Sequence, residues 1–338
     1  MLEKILDFPT QVADAFTGTK SLELAADYDK ITDIVVLGMG GSGIVGDFLH
    51  VLLRNSTVPL YVNKHILSPR FVSKNTLVLA VTYSGKTRET LDALWNCRKL
   101  GAKMIVVTSA DELKSTCYEK KIPCVTTPKN GHSRASLGYM LAPLLYTLQK
   151  IGILQEVDNY ITETVEIRNS IRDACSPESP LERNPARSLD LELLGRFPII
   201  YGVCNFTDAV ALRWKQMFNE NSKIHCYCDA FPELLHNEIE AWEGDGYTHE
   251  NYALILLRDS IYEQEIGLQG KIRETKYLVH QKGSKIFDVR SKGRSELARL
   301  LSLSYLGDLT SAYLAIAKGV DSSSVHNIDF MKKCEFGG

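Results

Sequence analysis

The 338-residue sequence predicts an α/β protein of two halves, each a doubly wound, mainly parallel sheet flanked by helices. Two observations carry this reading. Short runs rich in Val, Ile and Leu alternate with longer helical patterns, the order expected of βα units. Several of those runs are nearly continuous in apolar residues, as in Leu77-Val78-Leu79-Ala80-Val81, which suits strands covered on both faces. A chain of this length also exceeds one ordinary core and suits two.

Residues 1–30 read as an N-terminal helical segment. In the first half, 31–155, the strand runs are 34–37, 60–62, 77–81, 104–107 and 124–126, with helical patterns around 45–53, 89–100 and 135–151. Ser176, Pro177, Ser179, Pro180 and Pro185 then interrupt the alternation, so 156–190 is expected to be a linker crossing between domains. The second half, 191–338, restarts with a strand at 198–203, a helix near 208–219, a short strand at 224–228 and a helix opening near Pro232. Strand 252–257, helix 261–280, strand 286–289 and helix 295–318 follow, the last stopped by Gly319. A final short helix starts near the serines at 322–324 and carries Lys332. The halves share an order of elements and too little identity to be called a repeat.

Composition narrows the partners. Thirty-nine basic side chains against 41 acidic ones leave a formal charge of -2, no field to hold a polyanion, so nucleic acid is not expected. A phosphorylated metabolite needs only local charge. The eight cysteines form no CxxC pair and no zinc-finger spacing; Cys226 and Cys228 share one face of the short strand and read as free thiols rather than ligands. Residues 1–30 carry acids throughout and no apolar run long enough for a signal peptide or a membrane span. A reducing cytosol and no membrane partner are the expectation.

The first strand runs directly into Gly38-Met39-Gly40-Gly41-Ser42-Gly43. A strand that ends in glycines and opens a helix presents backbone N–H groups to anions. Gly40 and Gly41 leave room for a phosphate to approach the main chain, and Ser42 adds a hydroxyl. Gly38, Gly40 and Gly43 also fit a dinucleotide fingerprint, which requires an acid at the end of the second strand. That strand ends instead in Asn63-Lys64-His65, which weakens the reading and leaves only an NADP variant open. No Gly-Lys-Ser/Thr closes the run, so it is not a P-loop. A second loop, Thr82-Tyr83-Ser84-Gly85-Lys86-Thr87, places three hydroxyls around a glycine before a helix, a neutral cradle for a dianion. Helix capping by Thr87 would explain one of the three hydroxyls.

These loops resemble the two phosphate-binding loops of the sugar isomerase (SIS) domain. The resemblance extends through Asn130-Gly131-His132-Ser133-Arg134-Ala135-Ser136-Leu137-Gly138-Tyr139, Arg213-Trp214-Lys215, Asn219-Glu220-Asn221 and Phe231-Pro232-Glu233-Leu234-Leu235-His236-Asn237-Glu238-Ile239. In this combination the chain is similar, over nearly its whole length, to archaeal and bacterial bifunctional phosphoglucose/phosphomannose isomerases. Either phosphate loop alone would match any SIS protein.

The resemblance implies two SIS-type domains, a sugar phosphate as ligand and no cofactor. It implies that Gly40, Gly41, Ser42, Thr82, Ser84 and Thr87 hold the phosphate. Glu220 would move the proton between C1 and C2, a task for a carboxylate base poised near neutrality; by itself it reads as a solvated acid at a helix end. Arg134 would stabilise the enediolate, although as an isolated residue it reads as an ordinary surface arginine. His236 would open the ring, oriented by Glu233 or Glu240. The Glu233-x-x-His236 spacing is also a metal-ligand spacing, but the second copy such a site needs is missing, so no metal is expected. Lys332 would assist ring opening, with Lys333 as its rival by a one-residue slip.

The sequence departs from the family at Leu235 and Lys86, each where asparagine is customary, at Thr82 for serine and at Ser133 for proline. None of these removes a catalytic group, and Leu235 bears on how His236 is held. The family further implies a homodimer with the active site at the subunit boundary. Two alternatives are weighed against the isomerase. A non-catalytic SIS regulator usually carries a DNA-binding helix-turn-helix, and 1–30 is too short and too acidic for one. An amidotransferase isomerase half would require an N-terminal cysteine nucleophile.

Overall fold

The computed structural model describes residues 1–24, 28, 30–129, 131–244 and 249–334. Its first sheet comprises β1 (Asp33–Leu37), β2 (Leu60–Asn63), β3 (Thr76–Val81), β4 (Lys103–Thr108) and β5 (Cys124–Thr126). All pairings are parallel, in the order β2-β1-β3-β4-β5. Successive residues of these strands face opposite layers, as the two-residue period requires. Ile34, Val36, Leu77, Leu79, Ile105 and Val107 join one buried cluster, and Val35, Val78, Val106 and their neighbours join another under helices Arg88–Lys99 and Asp111–Glu119. Both faces are thus covered, which is why the runs are continuously apolar.

The second sheet repeats the layout with β6 (Phe197–Val203), β7 (Tyr227–Phe231), β8 (Tyr252–Arg258) and β9 (Lys285–Arg290), all parallel, in the order β7-β6-β8-β9. Helix Glu296–Ala317 joins the halves. It packs against helices Val157–Ala174, Pro185–Leu193 and Asp208–Met217, and most of its residues are buried. By length and composition this helix could cross a membrane, but a burial of 83% along its most apolar stretch is that of a core helix. Ser295 caps its start, with Oγ accepting from the Ala298 N–H, and Gly319 stops it at φ +65°.

Several elements differ from the sequence-based expectation. The short strand lies at Tyr227–Phe231, three residues beyond 224–228, because Ile224 instead donates its N–H to the Phe218 carbonyl and closes a turn. Cys226 therefore falls outside the strand that Cys228 occupies. The helix expected at 261–280 is two, Ser260–Glu265 and Gln269–Gln281, separated at Gly267, whose φ of +70° no continuing helix allows. The helix expected near Pro232 is a pair of 3-10 turns, Glu233–His236 and Glu238–Glu243. Within 156–190, helices Val157–Ala174 and the start of Pro185–Leu193 pack on the long helix. Helix Asp111–Glu119 buries only Leu113 and Cys117, too sparse a pattern to read.

One glycine shows how tightly the long helix packs against the helix that follows β6. A Cβ on Gly307, in the long helix, would lie 2.1 Å from Trp214 Nε1, and that indole is fully buried and donates to the Leu303 carbonyl at 3.0 Å. Ala would recover about 1 kcal/mol of helix propensity, but overpacking a closed core costs about 1–3 kcal/mol and more for so short an approach. Gly307→Ala is therefore expected to destabilise the protein by about 2 kcal/mol in urea unfolding. An unchanged or raised midpoint would show that the two helices can separate.

Candidate active site

In the first sheet the order in which strands are added reverses between β1 and β3, and ligand crevices in such sheets open at that point, beyond the carboxyl ends of the strands. The glycine loop follows β1 and the hydroxyl loop follows β3, so topology alone sets them side by side. Gly40 has φ +51°, a conformation that favours glycine. Gly41 has a different reason to lack a side chain: a Cβ there would lie 2.8 Å from both Arg134 N and Ser133 Oγ. That glycine lets the Arg134 turn close onto the helix Gly40–Leu52.

The hydroxyls occupy different settings. Ser42 Oγ is buried, accepts the Tyr83 N–H at 3.2 Å and donates to Met140 Sδ at 3.6 Å. Thr82 is buried, and its Oγ1 has no hydrogen-bond partner among the described residues. Ser84 is exposed, with Oγ accepting from Lys86 N at 3.3 Å. Thr87 holds the cap position of helix Arg88–Lys99 but makes no side-chain cap hydrogen bond, so capping does not account for its hydroxyl. Tyr83 ties this loop to the next. Its hydroxyl donates to the Pro128 carbonyl at 3.1 Å and accepts the Gly131 N–H at 3.1 Å. Asn130, quoted above in the resemblance, lies outside the described residues.

The loop beyond Gly131 delivers Arg134 in a 3-10 turn, Ser133–Ala135. Arg134 is 4% exposed, and its donors reach across to the second half. Nε donates to Asn221 Oδ1 at 2.8 Å, Nη1 to Glu220 Oε2 at 3.2 Å and Nη2 to the Ser322 carbonyl at 2.6 Å. His132 Nδ1 lies 3.4 Å from Nη1. Burial pulls the Arg134 pKa below its ordinary value, and the Glu220 carboxylate offsets part of that.

Glu220 stands in an element the sequence did not signal. Helix Asp208–Met217 ends in a π-turn, Phe218–Ser222, the kind of insertion that re-aims a side chain at functional sites. Asn221 Nδ2 donates to Ser311 Oγ at 2.9 Å and Ser222 Oγ to the Ser311 carbonyl at 2.7 Å, pinning the turn to the long helix. The Glu220 side chain keeps 24% exposure. Lys223, at φ +54°, closes the turn by donating Nζ to the carbonyls of Glu220 and Ser324. Burial, with Arg134 nearby, lowers the Lys223 pKa.

The arrangement therefore places a part-exposed carboxylate against a fixed guanidinium, beside the glycine loop and the hydroxyl loop. That is the equipment for moving a proton at carbon next to a stabilised oxyanion. A separate groove of about 980 Å³ lies behind the hydroxyl loop, lined by Lys86, Trp95, Arg98 and Lys120 among others, and contains none of these groups.

Comparison with known proteins agrees in kind. Residues 28–144 match the SIS domain family, and residues 182–334 match the bacterial phospho-glucose isomerase C-terminal SIS domain. The chain is 36% identical to a bifunctional phosphoglucose/phosphomannose isomerase of Caldicellulosiruptor bescii over 333 residues, 98% of each chain. The chain belongs to the bifunctional phosphoglucose/phosphomannose isomerase family. A member from Thermoplasma volcanium is 32% identical, covering 90% of this chain and 91% of its own. The fold is also that of a hypothetical protein from Thermus thermophilus, with a TM-score of 0.78 at 15% identity, covering 99% of this chain and 90% of that one.

Of the residues the family resemblance names, the structure brings Glu220, Arg134 and both phosphate loops together. His236 is exposed in the 3-10 turn after β7, and no hydrogen bond or ion pair among the described residues joins it to Glu220 or Arg134. No hydrogen bond among the described residues joins Glu233 or Glu240 to it; the Glu233 carboxylate accepts from Asn237 Nδ2 at 3.1 Å. Lys332 is exposed on helix His326–Cys334, which buries none of its residues. Sequence reasoning assigned no role to Tyr83, His132, Asn221 or Lys223. The signal for three of them was in the quoted motifs, but their contacts are tertiary.

Because Ser84 and Thr87 are the accessible hydroxyls, the loop reading is tested at Ser84. A hydrogen bond to a charged phosphate is worth about 1.5–3 kcal/mol, so Ser84→Ala should weaken sugar-phosphate binding and phosphate inhibition by about 10- to 100-fold. Wild-type KM and wild-type inhibition by inorganic phosphate would reduce the loop to a helix start.

Proposed function

We propose that the protein interconverts glucose 6-phosphate, and also mannose 6-phosphate, with fructose 6-phosphate through a cis-enediol intermediate. The observation that carries this is the Glu220–Arg134 contact at 3.2 Å beside the two loops. The loops hold the phosphate, with the buried, unpartnered Thr82 hydroxyl as a donor that a phosphate oxygen would satisfy. Glu220 takes the proton from C2 of the aldose and returns it at C1, while Arg134 stabilises the negative oxygen of the enediolate. Neither step uses a metal or a nucleotide.

Ring opening falls to His236 and Lys332 in this reading, and chain geometry supports a His236 drawn from a neighbouring subunit. Helix Asp208–Met217 runs back from the carboxyl end of β6, so Glu220 lies at the amino end of the second sheet, whereas His236 follows β7 at its carboxyl end. The five residues of β7 separate them by roughly 16 Å. A homodimer in which His236 serves the neighbouring subunit's site resolves that separation. A cytosolic setting is supported by eight cysteines that are all unpaired.

Two experiments test the proposal. Fructose 6-phosphate formation is measured from each aldose, and Glu220→Gln should lower kcat by about 10²–10⁴ with phosphate competition unchanged; near-normal turnover would remove Glu220 from the chemistry. Co-expressed Glu220→Gln and His236→Ala subunits should recover about a quarter of wild-type activity, since half the dimers are mixed and each holds one intact site. No recovery above either single variant would place His236 in its own subunit's reaction.

A further inference from the structure

We infer that His132 is a positioning residue that holds Arg134 through an unprotonated Nδ1. A guanidinium only donates hydrogen bonds, so an imidazole nitrogen 3.4 Å from Arg134 Nη1 meets it as a lone-pair acceptor. Nη1 carries two N–H groups. One points to Glu220 Oε2, and His132 is the acceptor for the other. With Nε on Asn221 and Nη2 on Ser322, this completes the set that fixes the guanidinium's plane. The His132 main chain is itself held, its carbonyl accepting from Ala135 N at 3.1 Å and Ser136 Oγ at 3.0 Å.

The surroundings keep the ring neutral. Burial lowers the His132 pKa first, and Arg134, Lys4 and the Met1 amino group lower it further, against an opposing pull from Asp321. The Glu220 carboxylate bonds to Arg134, and no hydrogen bond among the described residues joins it to His132. Protonation therefore sets in below the ordinary histidine value of about 6.5, and it turns the contact with Arg134 from an acceptor into a second cation. Arg134 then loses its fixed plane, and isomerisation should fall as pH drops through that pKa.

The activity arm of the test rests on the isomerase reading above. His132→Leu should lower kcat by about tenfold at neutral pH, with inhibition by inorganic phosphate unchanged. His132→Asn, whose Oδ1 can occupy the Nδ1 position, should keep most of kcat and lose the acid decline that histidine imposes. The second arm needs no turnover. The His132 imidazole resonance, assigned by its loss in His132→Asn, should titrate below 6.5 in the wild type and move upward in Arg134→Gln. Equal rates and equal pH profiles in the wild type, Leu and Asn variants would overturn the inference. So would a His132 titration indifferent to Arg134→Gln, and that result would leave the isomerase reading untouched.

Discussion

The site depends on a buried ion pair closed off from solvent behind it. Arg213 donates Nε to Asp308 Oδ1 at 3.0 Å and Nη2 to Oδ2 at 2.7 Å, with the two side chains 1% and 2% exposed. The same Nη2 donates to the Arg134 carbonyl at 2.8 Å. One guanidinium thus joins the helix after β6, the long central helix and the 3-10 turn of the first half. Burial drives the Asp308 pKa up and Arg213 pulls it back. Removing either partner would leave an uncompensated charge in the core, a loss of about 3–5 kcal/mol. Replacing both with apolar groups would be far milder for stability, but it would release the Arg134 main chain. The pair is better understood as fixing position than as a large source of stability.

From that anchor the rest of the site follows by contact. The Arg134 turn can sit where it does because Gly41 leaves room for it, and the hydroxyl loop is held against the same turn by Tyr83. On the other side, Ser311 of the long helix receives both Asn221 and Ser222, so the π-turn carrying Glu220 has little freedom. The carboxylate and the guanidinium are therefore held in place by the residues around them, the preorganisation that the proposed proton transfer requires.

The first sheet was legible because its strands are buried on both faces and bounded by turn residues; each expected strand lies within one residue of the observed one at either end. The second half was less so. Ile-His-Cys-Tyr-Cys at 224–228 has the composition of a strand, yet the π-turn Phe218–Ser222 and the turn that Ile224 closes onto the Phe218 carbonyl delay pairing until Tyr227. A π-turn has no composition of its own, since it depends on what the long helix offers as partners. Gly267 is the opposite case, a visible breaker inside a helical pattern that was read through. Within the site, Glu220 and Arg134 are 86 residues apart, and nothing local marks either as functional. Resemblance supplied their roles, and only the fold supplied their contact. His132 lay in a quoted motif without an assigned role, because its contact with Arg134 depends on how the loop folds back.

The separation of Glu220 from His236 is a consequence of the βαβ unit rather than of a detail in either loop. A right-handed crossover carries the chain back along the sheet before the next strand begins, so groups before and after that strand lie at opposite ends. No loop adjustment within one subunit brings together residues held apart by a strand whose register is fixed by five parallel pairs with β6. In the proposed reading, a chemistry that uses both residues draws one of them from another copy of the chain. The exposed helix His326–Cys334, with Ile328, Phe330 and Met331 uncovered along with Lys332, leaves the second proposed ring-opening group equally unsupported in a lone subunit. In the proposed dimer the proton-transfer pair is built within one chain, where preorganisation matters most, and ring opening is the step that relies on assembly.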